Sequence, residues 1–234
     1  MDMLSRLGVS SAHPGGFRAT RRLLGQLPAS DLRILEVGCG TGRTACYLAK
    51  QGYRVTALDQ HPLMLEKARK RAAEEGLDGI EWVEGSVTAL PFENETFDVV
   101  FAESVTLFAG LEPSIREYYR VLKPNGRLLD REMVLHEPMP EETYDEILDY
   151  FGIDKIASVD EWMECLRGAG FRCDRPQPEA FMSHEADVDE SELQDLDLTT
   201  LFDPEVGMGL LKYTQLMLAQ EQYFRACDFS AVKA

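Results

Sequence analysis

The chain has 234 residues, 44% of them hydrophobic, which suits one substantial α/β core; no run reaches the roughly 18 apolar residues of a membrane helix, and the N-terminus lacks a secretory signal's apolar core, so a cytoplasmic protein is expected. The net charge is −17, with ten Asp or Glu and no Lys or Arg in residues 176–211, a surface that repels phosphate backbones and anionic lipid and argues against nucleic acid or membrane as partners. Five scattered cysteines without CxxC spacing read as reduced thiols and supply no metal site.

In chain order, His13-Pro14-Gly15-Gly16 precedes a helix over 16–27, with Phe17, Thr20, Leu24 and Leu27 at three- and four-residue steps and Pro28 at its end. The apolar run RILEV predicts a strand over 33–37, followed by a helix over 41–51 closed by Gly52. A second strand follows over 54–58, and Pro62 opens a helix to about residue 75. Its basic run, Lys67, Arg69, Lys70 and Arg71, is flanked by Glu66, Glu74 and Glu75, as on an exposed helix face. Strands over 80–84, 97–101 and 126–134 come next, with a helix over 112–122 and a Lys-Pro-Asn-Gly turn between the last two. Ser158 and Glu161 form a capping box for a helix stopped by Gly170. A strand over 171–175, helical sequence over 187–222 broken near Asp203-Pro204, and a closing strand over 223–233 complete the chain. Seven strands alternating with helices predict an α/β fold: a doubly wound, mostly parallel sheet with helices on both faces. Such sheets bind ligands at the carboxyl ends of their strands, where strand order reverses.

The first strand-to-helix turn reads Glu36-Val37-Gly38-Cys39-Gly40-Thr41-Gly42. Glycines at two-residue steps allow positive φ and close backbone approach, and the following helix points unpaired N–H groups at the same place. A dinucleotide fold spaces its glycines as G-x-G-x-x-G. The tighter G-x-G-x-G suits S-adenosylmethionine, which has no pyrophosphate; Glu36 then faces its ammonium group. Asp59 ends the second strand seventeen residues after Gly42, where a carboxylate accepts both hydroxyls of a ribose. Asp is equally a preferred N-cap ahead of Pro62, and the two roles are compatible.

With these residues the chain resembles the class I S-adenosylmethionine-dependent methyltransferases over about residues 30–135, and more weakly to 175. The matching stretches are LEVGCGTGRTACYLAKQGYRVTALDQHPLMLEKARKRA, IEWVEGSVTALPFENETFDVVFAESV and YRVLKPNGRLL. The resemblance implies a Rossmann-like domain with S-adenosylmethionine as cofactor. Gly38, Gly40 and Gly42 would lie under its methionine tail, Asp59 on the ribose, and Gln60 and Met64 near the adenine. Many members carry Asp where this chain has Ser86; Ser86 is a weaker acceptor, which shifts adenine recognition toward the backbone of Val87. Glu103 and Ser104 would border the sulfonium and the acceptor, so Glu103 is both a cofactor-binding and a catalytic candidate.

Sulfonium transfer is an in-line displacement that positioning and desolvation can drive, with a base needed only where the acceptor loses a proton. In related small-molecule enzymes the segment before the first helix often folds over the pocket, making His13 the second catalytic candidate beside its reading as a turn or cap histidine. The sequence AESV after the fourth strand lacks the Asn/Asp-Pro-Pro-aromatic motif of enzymes that methylate nucleobase amines. The expected function is methyl transfer to a small-molecule O, N or C acceptor. The alternatives are a sensor or partner that binds S-adenosylmethionine without catalysis and, disfavoured by the loop spacing, a nicotinamide-dependent oxidoreductase. Residues 1–29 are expected as a helical lid segment, 30–135 as the cofactor core, and 136–234 as acceptor-side helices and closing strands that could also carry a homodimer contact.

Overall fold

The computed structural model describes residues 14–28, 31–181 and 203–234. Helix α1 (Gly16–Leu24) precedes β1 (Arg33–Val37), α2 (Arg43–Lys50), β2 (Arg54–Asp59), α3 (Pro62–Glu74), β3 (Glu81–Glu84) and β4 (Phe97–Glu103). There follow α4 (Thr106–Ala109), α5 (Leu111–Val121), β5 (Leu122–Leu135), α6 (Glu141–Phe151), α7 (Val159–Gly168) and β6 (Phe171–Cys173). The two-residue β7 (Glu179–Ala180), α8 (Pro204–Ala219), a 3-10 turn (Glu221–Tyr223) and β8 (Phe224–Lys233) complete the described elements.

The strands lie in the order β3-β2-β1-β4-β5-β8-β6, with β7 beside β8. The pairs from β3 to β5 are parallel, whereas β8 runs antiparallel to β5, β6 and β7. This is the expected doubly wound, Rossmann-like sheet, with one antiparallel portion. Strand order reverses between β1 and β4, so the carboxyl ends of β1, β2 and β4 open onto one crevice. β1 and β4 are nearly continuous buried runs, as strands covered on both faces must be. Leu23, Leu48 and Leu65 of α1, α2 and α3 cover one face; Ile115 and Tyr118 of α5 and Trp162 of α7 cover the other.

Differences from the sequence reading have local causes. The glycine turn holds the chain in left-handed geometry through Gly42, φ +77°, so α2 starts two residues later than expected. The expected Lys-Pro-Asn-Gly turn is a bulge inside β5. Phe97 pairs with Leu122 and Val99 with Arg127, leaving 123–126 opposite Asp98, whose Oδ1 takes the Lys123 ammonium at 2.8 Å. The capping box is present: Glu161 N–H donates to Ser158 Oγ, and Ser158 N–H donates to Glu161 Oε2 at 2.8 Å. Helices α4 and α6 were not anticipated, and the expected helical sequence over 187–202 lies outside the described residues. No described helix is long and apolar enough to cross a membrane.

Candidate functional site

A cavity of about 470 Å³ opens at the carboxyl ends of β1, β2 and β4. A larger outer cleft, about 1040 Å³, lies beyond α4 against α7 and shares only Leu107, Phe108 and Ala109 with it. The glycine turn belongs to the inner cavity, which makes it the candidate site.

Its lower end is acidic. Glu36 closes the crevice from β1, 5% exposed, and its Oε2 has no hydrogen-bond partner among the described residues. Burial, then the charges of Glu103 and Asp59, push its carboxyl well above the ordinary range. Asp59, at the end of β2, ties the loop together: Gly40 N–H donates to Oδ2 at 2.9 Å and His61 N–H to Oδ1 at 2.8 Å. Each carboxylate oxygen keeps a second lone pair for a ligand hydroxyl. Asp59 is therefore not the side-chain cap of α3, whose N-cap residue is His61. His61, read from sequence as a helix-start residue, also lines the cavity, and its Nδ1 is buried without a partner among the described residues.

The three glycines have separate reasons. A Cβ on Gly40, φ +53°, would meet nothing within 4 Å, so this position is open beside the cavity. A Cβ on Gly38, φ +63°, would overlap Val105 Cγ2, so Gly38 lets the segment after β4 approach the turn. Gly42 departs from expectation. It does not line the cavity; its N–H donates to Cys39 O at 2.9 Å, and a Cβ would come within 2.7 Å of Ala68 Cβ. Gly42 lets α2 pack against α3 and leaves no N–H for a methionine tail.

Gln60, Met64, Ser86 and Val87 all line the cavity. Ser86 Oγ lies 2.9 Å from Thr88 Oγ1 and accepts Thr88 N–H at 3.3 Å, so the hydroxyl is engaged in its own turn. Glu103, at the end of β4, meets the cavity where its acidic end gives way to an apolar one. Thr20 Oγ1 lies 2.9 and 3.1 Å from its two carboxyl oxygens. Burial raises its carboxyl to about 8 against the Thr20 hydrogen bond. The apolar end is built by Phe108 of α4, Met133 of β5, Phe151 of α6, Phe181, and Tyr213 and Met217 of α8. His13 lies outside the described residues; its neighbour Pro14 lines the cavity.

A methyltransferase-domain family model matches residues 35–130. Over 234 residues the chain is 38% identical to an uncharacterised methyltransferase of Bacillus subtilis, YodH, covering 100% of this chain and 98% of that one. The chain belongs to the class I S-adenosylmethionine-dependent methyltransferases. It is also 35% identical over 133 residues to a ubiquinone/menaquinone biosynthesis C-methyltransferase of Ruegeria, covering 55% of this chain and 52% of the relative. Among solved structures, phosphoethanolamine N-methyltransferase 2 of Haemonchus contortus, in complex with S-adenosylmethionine, superposes with a TM-score of 0.79 at 20% identity. That superposition covers 99% of this chain and 56% of that one, and supports the fold alone.

The methyltransferase cofactor, S-adenosylmethionine, supplies an electrophilic methyl group on a sulfonium. The residues present fit it. The orphaned, buried Glu36 Oε2 suits an ammonium group, Asp59 retains lone pairs for ribose hydroxyls, and the carboxylates Glu36, Asp59 and Glu103 share the charge environment a cation requires.

Two parts of the methyltransferase site were missed from sequence. Thr20 orients Glu103 from α1, 83 residues away. Arg131, 2% exposed, donates from Nε to Pro14 O at 2.6 Å and pairs with Asp228 and Glu179, which Arg22 also contacts. This ion cluster fastens the start of α1 beside the cavity. A signal existed: Asp130-Arg131-Glu132 places three consecutive charges between the apolar runs Leu128-Leu129 and Met133-Val134-Leu135, where charges stay buried only with partners.

Proposed function

We propose that this methyltransferase acts on a small-molecule acceptor bound at the apolar end of the cavity, with Glu103 taking a proton wherever the acceptor must lose one. The observation that carries the reading is the division of one cavity into an acidic and an apolar end that meet at Glu103. A general base works best when its pKa lies near the working pH, and a carboxyl raised to about 8 meets that condition better than an ordinary glutamate. His13, one residue before Pro14, is the alternative base, with an unperturbed imidazole pKa near ~6.5.

The related C-methyltransferase of ubiquinone/menaquinone biosynthesis supports the small-molecule reading by its name alone. Incubating the protein with methyl-labelled S-adenosylmethionine and a metabolite extract tests it. Label is expected in low-mass products, and Glu103→Gln should lower its incorporation by about 10²–10⁴-fold. If His13→Ala gives that loss and Glu103→Gln does not, the base is His13. Label entering only protein or nucleic acid would overturn the small-molecule reading. Cofactor binding without transfer to any fraction would make the protein a sensor.

A further inference from the structure

The apolar end limits the charge its occupant can carry. The chain has 24 Lys and Arg, yet none lines the cavity among the described residues; its carboxylic acids there are Glu36, Asp59 and Glu103, with His61 beside Asp59 at the glycine-turn end. An acceptor carrying phosphate or carboxylate to the apolar end would lose its water, meet no Lys or Arg among the described lining residues and face Glu103, a combination of costs that disfavours it. A cationic acceptor meets the opposite obstacle. Its reacting atom must come within roughly 3–3.5 Å of the methyl carbon, against a sulfonium of like charge. The part of the acceptor inside the protein is therefore uncharged on arrival.

The wall gives it a shape. Phe108, Phe151 and Tyr213 come from α4, α6 and α8, three elements brought together at this wall. The Phe108 and Phe151 rings are 6.1 Å apart at 66°, and those of Phe151 and Tyr213 are 6.0 Å apart at 89°. Edge-to-face rings of this kind present both π-faces and hydrogen edges, which favour a flat, unsaturated guest. The sulfur atoms of Met133 and Met217 add polarisable contacts to the same wall. The one carboxyl at the boundary, Glu103, is oriented by Thr20.

We propose that the acceptor is a neutral aromatic or conjugated molecule bearing one weakly acidic hydroxyl, a phenol or enol, which it presents to Glu103. The hydroxyl proton passes to the Glu103 carboxylate. The electron pair released forms the new bond to the methyl carbon, while the pair of the broken carbon–sulfur bond stays on sulfur. This rests on the preceding assignment of the acceptor to the apolar end.

Three naphthalene probes of equal ring size test the charge requirement on the full chain saturated with sinefungin, a non-reactive cofactor analogue that carries an ammonium group in place of the sulfonium: 2-naphthol, 2-naphthoate and 2-naphthylmethylammonium. Naphthol should bind at least about tenfold more tightly than either ion, since the carboxylate is desolvated beside Glu103 and the ammonium meets the like charge of the cofactor analogue. Phe151→Ala, and Phe151→Leu, which keeps an apolar side chain without the ring, should each weaken naphthol several-fold and leave sinefungin affinity unchanged. Equal or tighter binding of naphthoate overturns the proposal in favour of an anion site, and equal or tighter binding of the ammonium probe overturns it in favour of an amine acceptor. Naphthol binding that both Phe151 variants leave intact also overturns it. If sinefungin itself does not bind, the assignment of the cofactor site fails, and this proposal with it.

Discussion

Glu103 should register the arrival of a positive charge. Burial holds its carboxyl at about 8, so at pH 7 roughly one carboxyl in ten is ionised in the free protein. A cation within ~4–6 Å favours the ionised form and lowers a carboxyl pKa by about 1–3 units. With a drop of about 2 units, cofactor binding at pH 7 expels roughly 0.8 proton, and affinity rises about 45-fold between pH ~6 and ~9. Calorimetry in two buffers of different ionisation enthalpy counts those protons. S-adenosylmethionine carries the sulfonium and S-adenosylhomocysteine does not, while the amino-acid tail is common to both. The difference between the two ligands therefore isolates the sulfonium, and Glu103→Gln should abolish it while still accepting the Thr20 hydrogen bond. Comparing wild type with the variant also cancels titration of the ligand's own amino group. Equal proton counts for the two ligands in the wild type, or a difference that persists in Glu103→Gln, would refute a sulfonium beside Glu103.

The separate roles of Gly40 and Gly42 in the glycine turn are distinguished by substitution. Gly42→Ala should cost about 1–3 kcal/mol of stability through overpacking against Ala68, read by chemical denaturation, whereas Gly40→Ala should lower cofactor affinity with a smaller stability loss. Glu132, whose Oε1 accepts the N–H groups of Val105 and Leu107, is raised to about 7, by burial against those hydrogen bonds. A folded pKa above the unfolded value of about 4.3 means that the native state holds the extra proton, so stability falls as pH rises from about 4 through about 7. Denaturation midpoints measured across that window should decline less in Glu132→Gln; an identical decline would mean that Glu132 is not buried as described. The protein should not retain an RNA probe at physiological salt, given its charge of −17; salt-sensitive retention at low micromolar protein would contradict this.

The cofactor end was legible in the sequence because its determinants are local. Positive φ at Gly38 and Gly40 and a carboxylate at the end of β2 each follow from a few adjacent residues. Gly42 shows the limit of that reading: spacing identifies a position without a Cβ, but not whether the space is filled by a ligand or by Ala68 of a neighbouring helix. The apolar end was not legible, since Phe108, Met133, Phe151, Phe181, Tyr213 and Met217 come from segments scattered over more than a hundred residues, and each alone reads as ordinary core. Helix α6 could have been found. Its Tyr144, Ile147, Leu148 and Phe151 stand at i, i+3, i+4 and i+7, the amphipathic period. The contact of Thr20 with Glu103 could not, because no local pattern pairs residues 83 apart.

Titration calorimetry of S-adenosylmethionine, S-adenosylhomocysteine and NADH into the wild type and Asp59→Ala tests the cofactor site most directly. Both sulfur ligands should bind the wild type at about micromolar affinity, near −8 kcal/mol, and NADH should not bind. Asp59→Ala should weaken both by about 1.5–3 kcal/mol, or roughly 10- to 150-fold, the scale of hydrogen bonds to a charged acceptor. Binding of NADH without either sulfur ligand, or unchanged affinity in Asp59→Ala alongside lowered thermal stability, would contradict a sulfonium-cofactor site built on the glycine turn and Asp59.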